Sequence, residues 1–190
     1  MRRLPLFLIL LLVIGWATPV IASVEIHFHS KDFASTFPHA FVRLTGTVEA
    51  TGEAVDVSFG FTPVRLTPAI FAGPIPGEIV PAEPAYIARS DKHFSLTLSD
   101  EEYARVLELV ERWRNAPQPN YWLNTRNCIH FVADIATALG LRAPPAKGLM
   151  KKPRSFLRKV AADNAALIAQ WPSRRAAIAK RSAEGVSPTP

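Results

Sequence analysis

Cysteine is nearly absent from this sequence: Cys128 is the only one among 190 residues. A single thiol cannot form an internal disulfide, which excludes a disulfide-stapled domain. Cys128 is then either an inert, buried, small hydrophobic residue or a reactive thiol. Its position at the start of a predicted helix, directly after a polar loop, favours the reactive thiol.

Metal-ligand patterns are missing as well. His27 and His29 share one face of a predicted strand, and histidines so spaced can chelate zinc. No acidic residue or cysteine accompanies them at ligand spacing, so we interpret them as packed or solvated polar side chains. The sequence contains no pattern for a metal or an organic cofactor, and we expect none.

Positive charge is scarce in the body of the chain. Residues 23–141 contain 9 Lys and Arg against 14 Asp and Glu, whereas residues 142–190 contain 11 against 2. The net charge of +6 therefore comes mostly from the C-terminal part and is not the footprint of a nucleic-acid-binding domain. We expect no nucleic-acid partner.

Residues 1–22 resemble an export signal. Arg2 and Arg3 precede an aliphatic run over residues 4–14, Gly15 and Pro19 interrupt it, and small residues end at Ala22. This pattern predicts a signal peptide cleaved near Ala22 and a periplasmic or secreted protein. The alternative is an uncleaved membrane anchor, although the run is shorter than the ~20 residues that a bilayer span needs.

The remaining chain, residues 23–143, predicts one domain that begins with strands. Apolar and polar residues alternate from Val24 onwards, and His39 is the first residue of the next strand. A further strand over residues 54–61 completes a hairpin with the His39 strand. The proline-dense residues 63–84 predict a long ordered loop, and residues 85–89 and 93–98 predict strands.

Two helices follow the predicted strands. Ser99 and the three acidic residues after it form a capping box, which predicts an amphipathic helix ending near Asn115. The second helix opens at Cys128, with Asn127 or Thr125 as its N-cap and Gly140 as its stop. Its apolar positions are Phe131, Val132, Ile135 and Leu139. A thiol in the first helical turn feels the positive end of the helix dipole, so we expect a lowered Cys128 pKa.

Residues 144–190 form a basic tail that opens with Pro144 and Pro145. Apolar residues at helical spacing favour either a helix docked on the domain or a basic amphipathic helix on an anionic envelope surface. We expect the last residues to be disordered.

The chain resembles the circularly permuted papain-like proteins, which include permuted NlpC-like, lecithin:retinol acyltransferase-like and PPPDE-type thiol hydrolases. In that group the strand that carries the histidine precedes the nucleophile helix, and the matching strand here starts at His39-Ala40-Phe41-Val42. The acidic helix start and a later Asn-Cys-x-His-Phe core match too, here Asn127-Cys128-Ile129-His130-Phe131. The resemblance covers residues 24–141 and implies an α+β fold with a small antiparallel sheet packed against helices.

The resemblance also implies a catalytic site. Cys128 attacks a carbonyl, His39 activates the thiol and protonates the leaving group, and the Cys128 backbone N–H binds the oxyanion. A third residue on the strand after His39 orients the imidazole, and Asp56 and Ser58 are the candidates. Asn127 either caps the helix or helps to bind the oxyanion, and we interpret His130 as structural.

Three functions follow from the resemblance. The first is an exported, thiol-protease-like hydrolase that cleaves an amide, with cell-wall (peptidoglycan) peptides or isopeptides as substrate. The second is a thiol acyltransferase or esterase that acts on an acyl ester or lipid. The third is a non-catalytic binding module on the same fold, which a His39–Cys128 separation too long for contact would favour.

Overall fold

The computed structural model describes residues 23–32 and 37–183, so the predicted signal peptide lies outside the described residues. The described strands form a six-stranded antiparallel sheet in the order β5-β1-β2-β3-β4-β6. They are β1 (Val24–Lys31), β2 (His39–Thr47), β3 (Ala54–Pro63), β4 (Ile75–Val80), β5 (Asp91–Leu98) and β6 (Asn120–Tyr121). The helices are α1 (Pro84–Ile87), α2 (Asp100–Arg114), α3 (Cys128–Ala138), α4 (Pro153–Asp163) and α5 (Ala165–Ala183). The chain is therefore an α+β protein.

The core lies between one face of the sheet and helices α2, α3 and α4. Alternation along β1 directs Val24, Ile26 and Phe28 to this face, and the register pairs Phe28 with Val42 of β2. Removing such apolar side chains from water is the main driving force for folding. Helix α3 packs against β2 and β3, which brings the start of the Cys128 helix to the strand that carries His39.

The proline-dense segment is more regular than its sequence predicts. Instead of one long loop it contains a 3₁₀ turn over Pro68–Phe71 and the strand β4. Strand β4 pairs with the last four residues of β3 and with β6. Pro76 lies within β4, where a missing N–H is tolerated because only short segments pair on either side.

The prediction of a strand over residues 85–89 is wrong. Most of this segment lies in the short helix α1, which begins at Pro84. The Ala88 N–H donates to the Pro84 carbonyl and closes the helical turn. Proline favours the first helical position because its fixed φ suits the helix and no N–H is needed there. Helix α1 forms part of a wall beside His39, as described below.

Helix α4 and the first part of α5, which belong to the basic tail, are docked on the domain. Phe156, Leu157 and Val160 of α4 are buried in the same core as α3, and Trp171 of α5 is 2% exposed. The Trp171 indole N–H donates to the Thr97 carbonyl of β5 at 2.7 Å. Within residues 23–32 and 37–183, no helix has both the length and the apolar character of a membrane span.

Candidate active site

Cys128 is the first residue of α3 and its thiol is buried, with 3% of the residue exposed. The Tyr121 hydroxyl donates to the Cys128 sulfur across 3.8 Å, and the backbone of Ala40 is within hydrogen-bonding reach of the same sulfur. These contacts come from β6 and β2, so two strands hold the thiol at the helix start.

Asn127 caps the helix that Cys128 opens. Its side-chain oxygen accepts hydrogen bonds from the Ile129 and His130 backbone N–H groups, and the His130 ring accepts from the Asn127 N–H. The Asn127 amide also donates to the carbonyls of Leu123 and Met150. Every polar atom of this buried side chain therefore has a structural partner, which leaves none for an oxyanion.

The expectation of a lowered Cys128 pKa is wrong. Burial raises the pKa of the thiol, and it outweighs the hydrogen bonds from Ala40, Tyr121 and the helix start, which lower it. The physical reason is that a helix terminus stabilises a charge by about 1 kcal/mol, whereas an uncompensated buried charge costs several kcal/mol. The resting thiol is protonated.

His39 begins β2 and is half-buried, and its ring forms part of the wall of a cleft. Its ring stacks on Phe41 with a centroid separation of 6.2 Å and lies over Gly60 of β3. A β-carbon at Gly60 would lie 2.4 Å from His39 Nε2, so only glycine leaves room for the ring. Burial lowers the pKa of His39 to about 4, which keeps the imidazole neutral near pH 7.

The structure shows no contact between the thiol and the imidazole. Ala40 belongs to the core cluster on the helix side of β2, whereas the His39 ring stacks on Phe41, and alternation directs these neighbouring residues to opposite faces of the strand. The sulfur lies against the backbone of Ala40, the residue after His39, and no hydrogen bond joins the Cys128 sulfur to the His39 ring. Tyr121 links the two groups, because it contacts the sulfur and lines the same cleft as His39. Both groups are neutral at rest, and they do not form an ion pair.

Neither candidate for the third residue contacts His39. Asp56 accepts two hydrogen bonds from the Arg43 guanidinium, which lowers the pKa of this exposed carboxyl. Ser58 accepts from the Ala82 backbone N–H at 2.8 Å. Burial alone accounts for the lowered pKa of His39, so no charged group acts on its imidazole.

A cleft of about 310 Å³ opens beside His39. Its walls are mostly apolar and include Phe37, Leu66, Val80, Pro81 and Tyr86. Tyr121 and Gly60 line it as well, and Glu83 adds one carboxylate. The sequence predicts no role for Tyr121, because a spacing of seven residues before Cys128 is not by itself a signal of contact.

His27 and His29 have ordinary polar partners. The two His27 ring nitrogens bond to the hydroxyls of Ser95 and Thr45, and His29 Nδ1 bonds to Ser90. Among the described residues, no group of three or more His, Cys, Asp or Glu side chains is arranged to hold a metal ion.

Comparisons with known proteins provide little beyond this geometry. No protein family matches the sequence, and no curated protein matches it either. Among solved structures, the type VI secretion system effector TseH is similar at 16% identity with a TM-score of 0.49, over 75% of this chain and 90% of TseH. A likeness at this level carries no argument, so the function has to be inferred from the site.

Proposed function

We propose that this chain is an exported cysteine hydrolase on a permuted papain-like fold, with Cys128 as nucleophile and His39 as general base. The observation that carries the proposal is the position of the only cysteine. Cys128 starts α3, and its sulfur accepts a hydrogen bond from the Tyr121 hydroxyl. The sulfur also lies against the backbone of Ala40, the strand residue after His39. Thiol-dependent acyl transfer requires a thiol and a base within reach of each other. Tyr121 contacts the sulfur and lines the cleft with His39, so in this proposal substrate binding has to bring the thiol and the imidazole together.

In this mechanism deprotonation accompanies attack, because both groups are neutral at rest. A carbonyl bound in the cleft draws the His39 ring and the thiol together, and the imidazole takes the proton as the S–C bond forms. The imidazolium then protonates the leaving amine as the C–N bond breaks. Water hydrolyses the resulting thioester with His39 again acting as base, which regenerates the thiol.

Tyr121 is the side-chain candidate for stabilising the oxyanion. Burial raises the pKa of Tyr121 far above its usual value, so the hydroxyl keeps its proton and remains a donor. The Cys128 backbone N–H at the start of α3 is the second donor. Loss of one donor of this kind typically costs 10²–10³-fold in turnover.

An acyl ester is the second candidate substrate, and the apolar walls of the cleft favour it. A pocket lined by Leu66, Val80 and Tyr86 removes a hydrocarbon chain from water, and Glu83 is the one carboxylate that lines it. A wall peptide instead offers a polar backbone that needs hydrogen-bonding partners. In this second candidate the chemistry at Cys128 is unchanged and an alcohol leaves in place of an amine.

The test incubates the purified full chain with peptidoglycan peptides and, separately, with acyl esters, and follows products by mass spectrometry. Cys128→Ser and His39→Gln should abolish turnover, whereas Asp56→Asn should retain it because its carboxylate is bound to Arg43. Urea unfolding of each variant excludes misfolding as the cause. A fully active Cys128→Ser protein refutes the proposal, and a folded wild type inactive on both substrate classes favours a non-catalytic binding module.

A further inference from the structure

Four exposed large apolar side chains lie in one region of the described structure. Val64, Leu66, Phe71 and Trp122 expose 48%, 56%, 79% and 42% of their surface. We call these four residues the apolar rim. Val57, at 40%, is the one other large apolar residue exposed to this degree among residues 23–32, 37–173 and 176. A cluster of this kind marks an interaction surface more often than scattered residues do.

The strand pairing places the apolar rim at one end of the sheet. Pro63 pairs with Gly77, and the Val64 N–H donates to the Pro76 carbonyl, so residues 64–76 form the β3–β4 connection. Tyr121 pairs with Ile75, which puts Trp122 at the same end. Leu66 also lines the cleft beside His39, so the rim adjoins the cleft mouth.

The connection that carries the rim is held firmly. Ile70, next to Phe71, is 2% exposed and belongs to the main core. The 3₁₀ turn that contains both residues, Pro68–Phe71, is closed by the Ala72 N–H bond to the Ala69 carbonyl. Phe71 is therefore displayed on an anchored turn, which lowers the entropy cost of binding through it.

Charge at this end differs from that of the surrounding domain. Residues 61–77 and 121–127 contain no Asp or Glu, and their charged residues are Arg65 and Arg126. By contrast, residues 23–141 as a whole contain 14 acidic residues. The Arg126 guanidinium packs over Trp113 and Phe61, so Arg65 is the exposed cation of these two segments. An exposed apolar patch that carries an arginine complements a surface that is apolar inside and anionic at its boundary.

We propose that the apolar rim docks on an anionic lipid surface, with Phe71, Leu66 and Trp122 inserted at the headgroup boundary and Arg65 among the phosphates. Binding of this type scales with the apolar area buried and is strengthened by anionic lipid. Docking turns the mouth of the cleft towards the membrane. The proposal concerns a surface and holds whether or not Cys128 performs catalysis.

The first test measures partitioning of the full chain onto vesicles of phosphatidylcholine with and without phosphatidylglycerol, by co-sedimentation. The double variant Leu66→Ser with Phe71→Ser should bind anionic vesicles at least about tenfold more weakly, since each side chain loses over 1 kcal/mol of burial. The matched control Val57→Ser removes an exposed apolar side chain outside the rim and should bind as wild type does. Residues 1–22 are common to all three proteins, so they do not create a difference between them.

The second test reads insertion directly. Two single-cysteine proteins are made in a Cys128→Ala background, one with Phe71→Cys and the other with Val57→Cys. The new cysteine of each is labelled with a polarity-sensitive fluorophore. Anionic vesicles should shift the emission of the label at position 71 to the blue and leave the label at position 57 unchanged. Equal partitioning of the serine variants and wild type, with an unshifted label at position 71, overturns the proposal. Because this background lacks the thiol, neither result depends on hydrolase activity.

Discussion

Replacing Gly60 by alanine inserts a methyl group where the His39 imidazole lies. The new carbon would be 2.4 Å from His39 Nε2 and 3.2 Å from Phe41 Cβ. Contacts below 3.0 Å are not tolerated, so the ring has to turn away by roughly 1 Å or more. Overpacking of this kind costs about 1–3 kcal/mol of stability, and a 1 Å misplacement of a catalytic group costs about 10²-fold in rate.

Gly73→Ala is the matched control, because a β-carbon there meets nothing within 4 Å. Urea unfolding and turnover on the accepted substrate are measured for both variants. Gly60→Ala should lose about 1–3 kcal/mol and about 10²-fold in turnover, while Gly73→Ala should stay within a few tenths of a kcal/mol and keep full activity. If Gly60→Ala is destabilised but turns over normally, the position of the imidazole does not matter and His39 is not the base.

Three further predictions concern stability. Burial lowers the pKa values of His29 and His39 to about 4, below the 6.5 of an unfolded chain, so the unfolded state binds protons first. His39 alone should lower stability by about 3 kcal/mol between pH 6.5 and 4, and His29 should add to the loss; urea midpoints measure it, and a flat profile contradicts this. Asn127→Ala should cost about 3 kcal/mol by removing a cap and two bonds to carbonyls, whereas Asn127→Ser keeps a neutral cap acceptor and should cost less. Trp171→Ala should cost about 3–5 kcal/mol if docking of α5 stabilises the domain, and Trp171→Phe should lose mainly the bond to Thr97, both measured by thermal unfolding.

The parts of the fold that follow from the sequence have local signals. Alternation defines β1 and the β2–β3 hairpin, and the Ser99 capping box starts α2. Asn127 caps α3, and Gly140 adopts the positive φ of 82° expected of a helix stop. In each case the determinant lies within a few residues of the element.

The parts that the sequence does not reveal depend on distant partners. Strand β4 exists because β3 and β6 offer it hydrogen bonds, and its prolines conceal it. The protonation state of Cys128 depends on burial beneath several elements, which helical position alone does not report. Tyr121 reaches the thiol through the pairing of β6 with β4, so its role needs the folded chain.

The third residue of the site illustrates the same limit. Asp56 and Ser58 share a strand face, as alternation predicts, but the register pairs them with Thr45 and Arg43. The Arg43 guanidinium donates hydrogen bonds to both oxygens of the Asp56 carboxylate, which is therefore not available to His39. A face can be predicted from sequence, whereas the neighbour on that face is set by register.

The rate at which Cys128 is acylated by an activated acyl ester tests the central claim most directly. Intact-mass measurements would follow the adduct over time in wild type and in His39→Gln, with Cys128→Ser as the blank. We expect a thioester on the wild-type protein that forms at least about 10²-fold faster than on His39→Gln, because the protonated thiol needs a base. Equal rates in the two proteins would contradict the account.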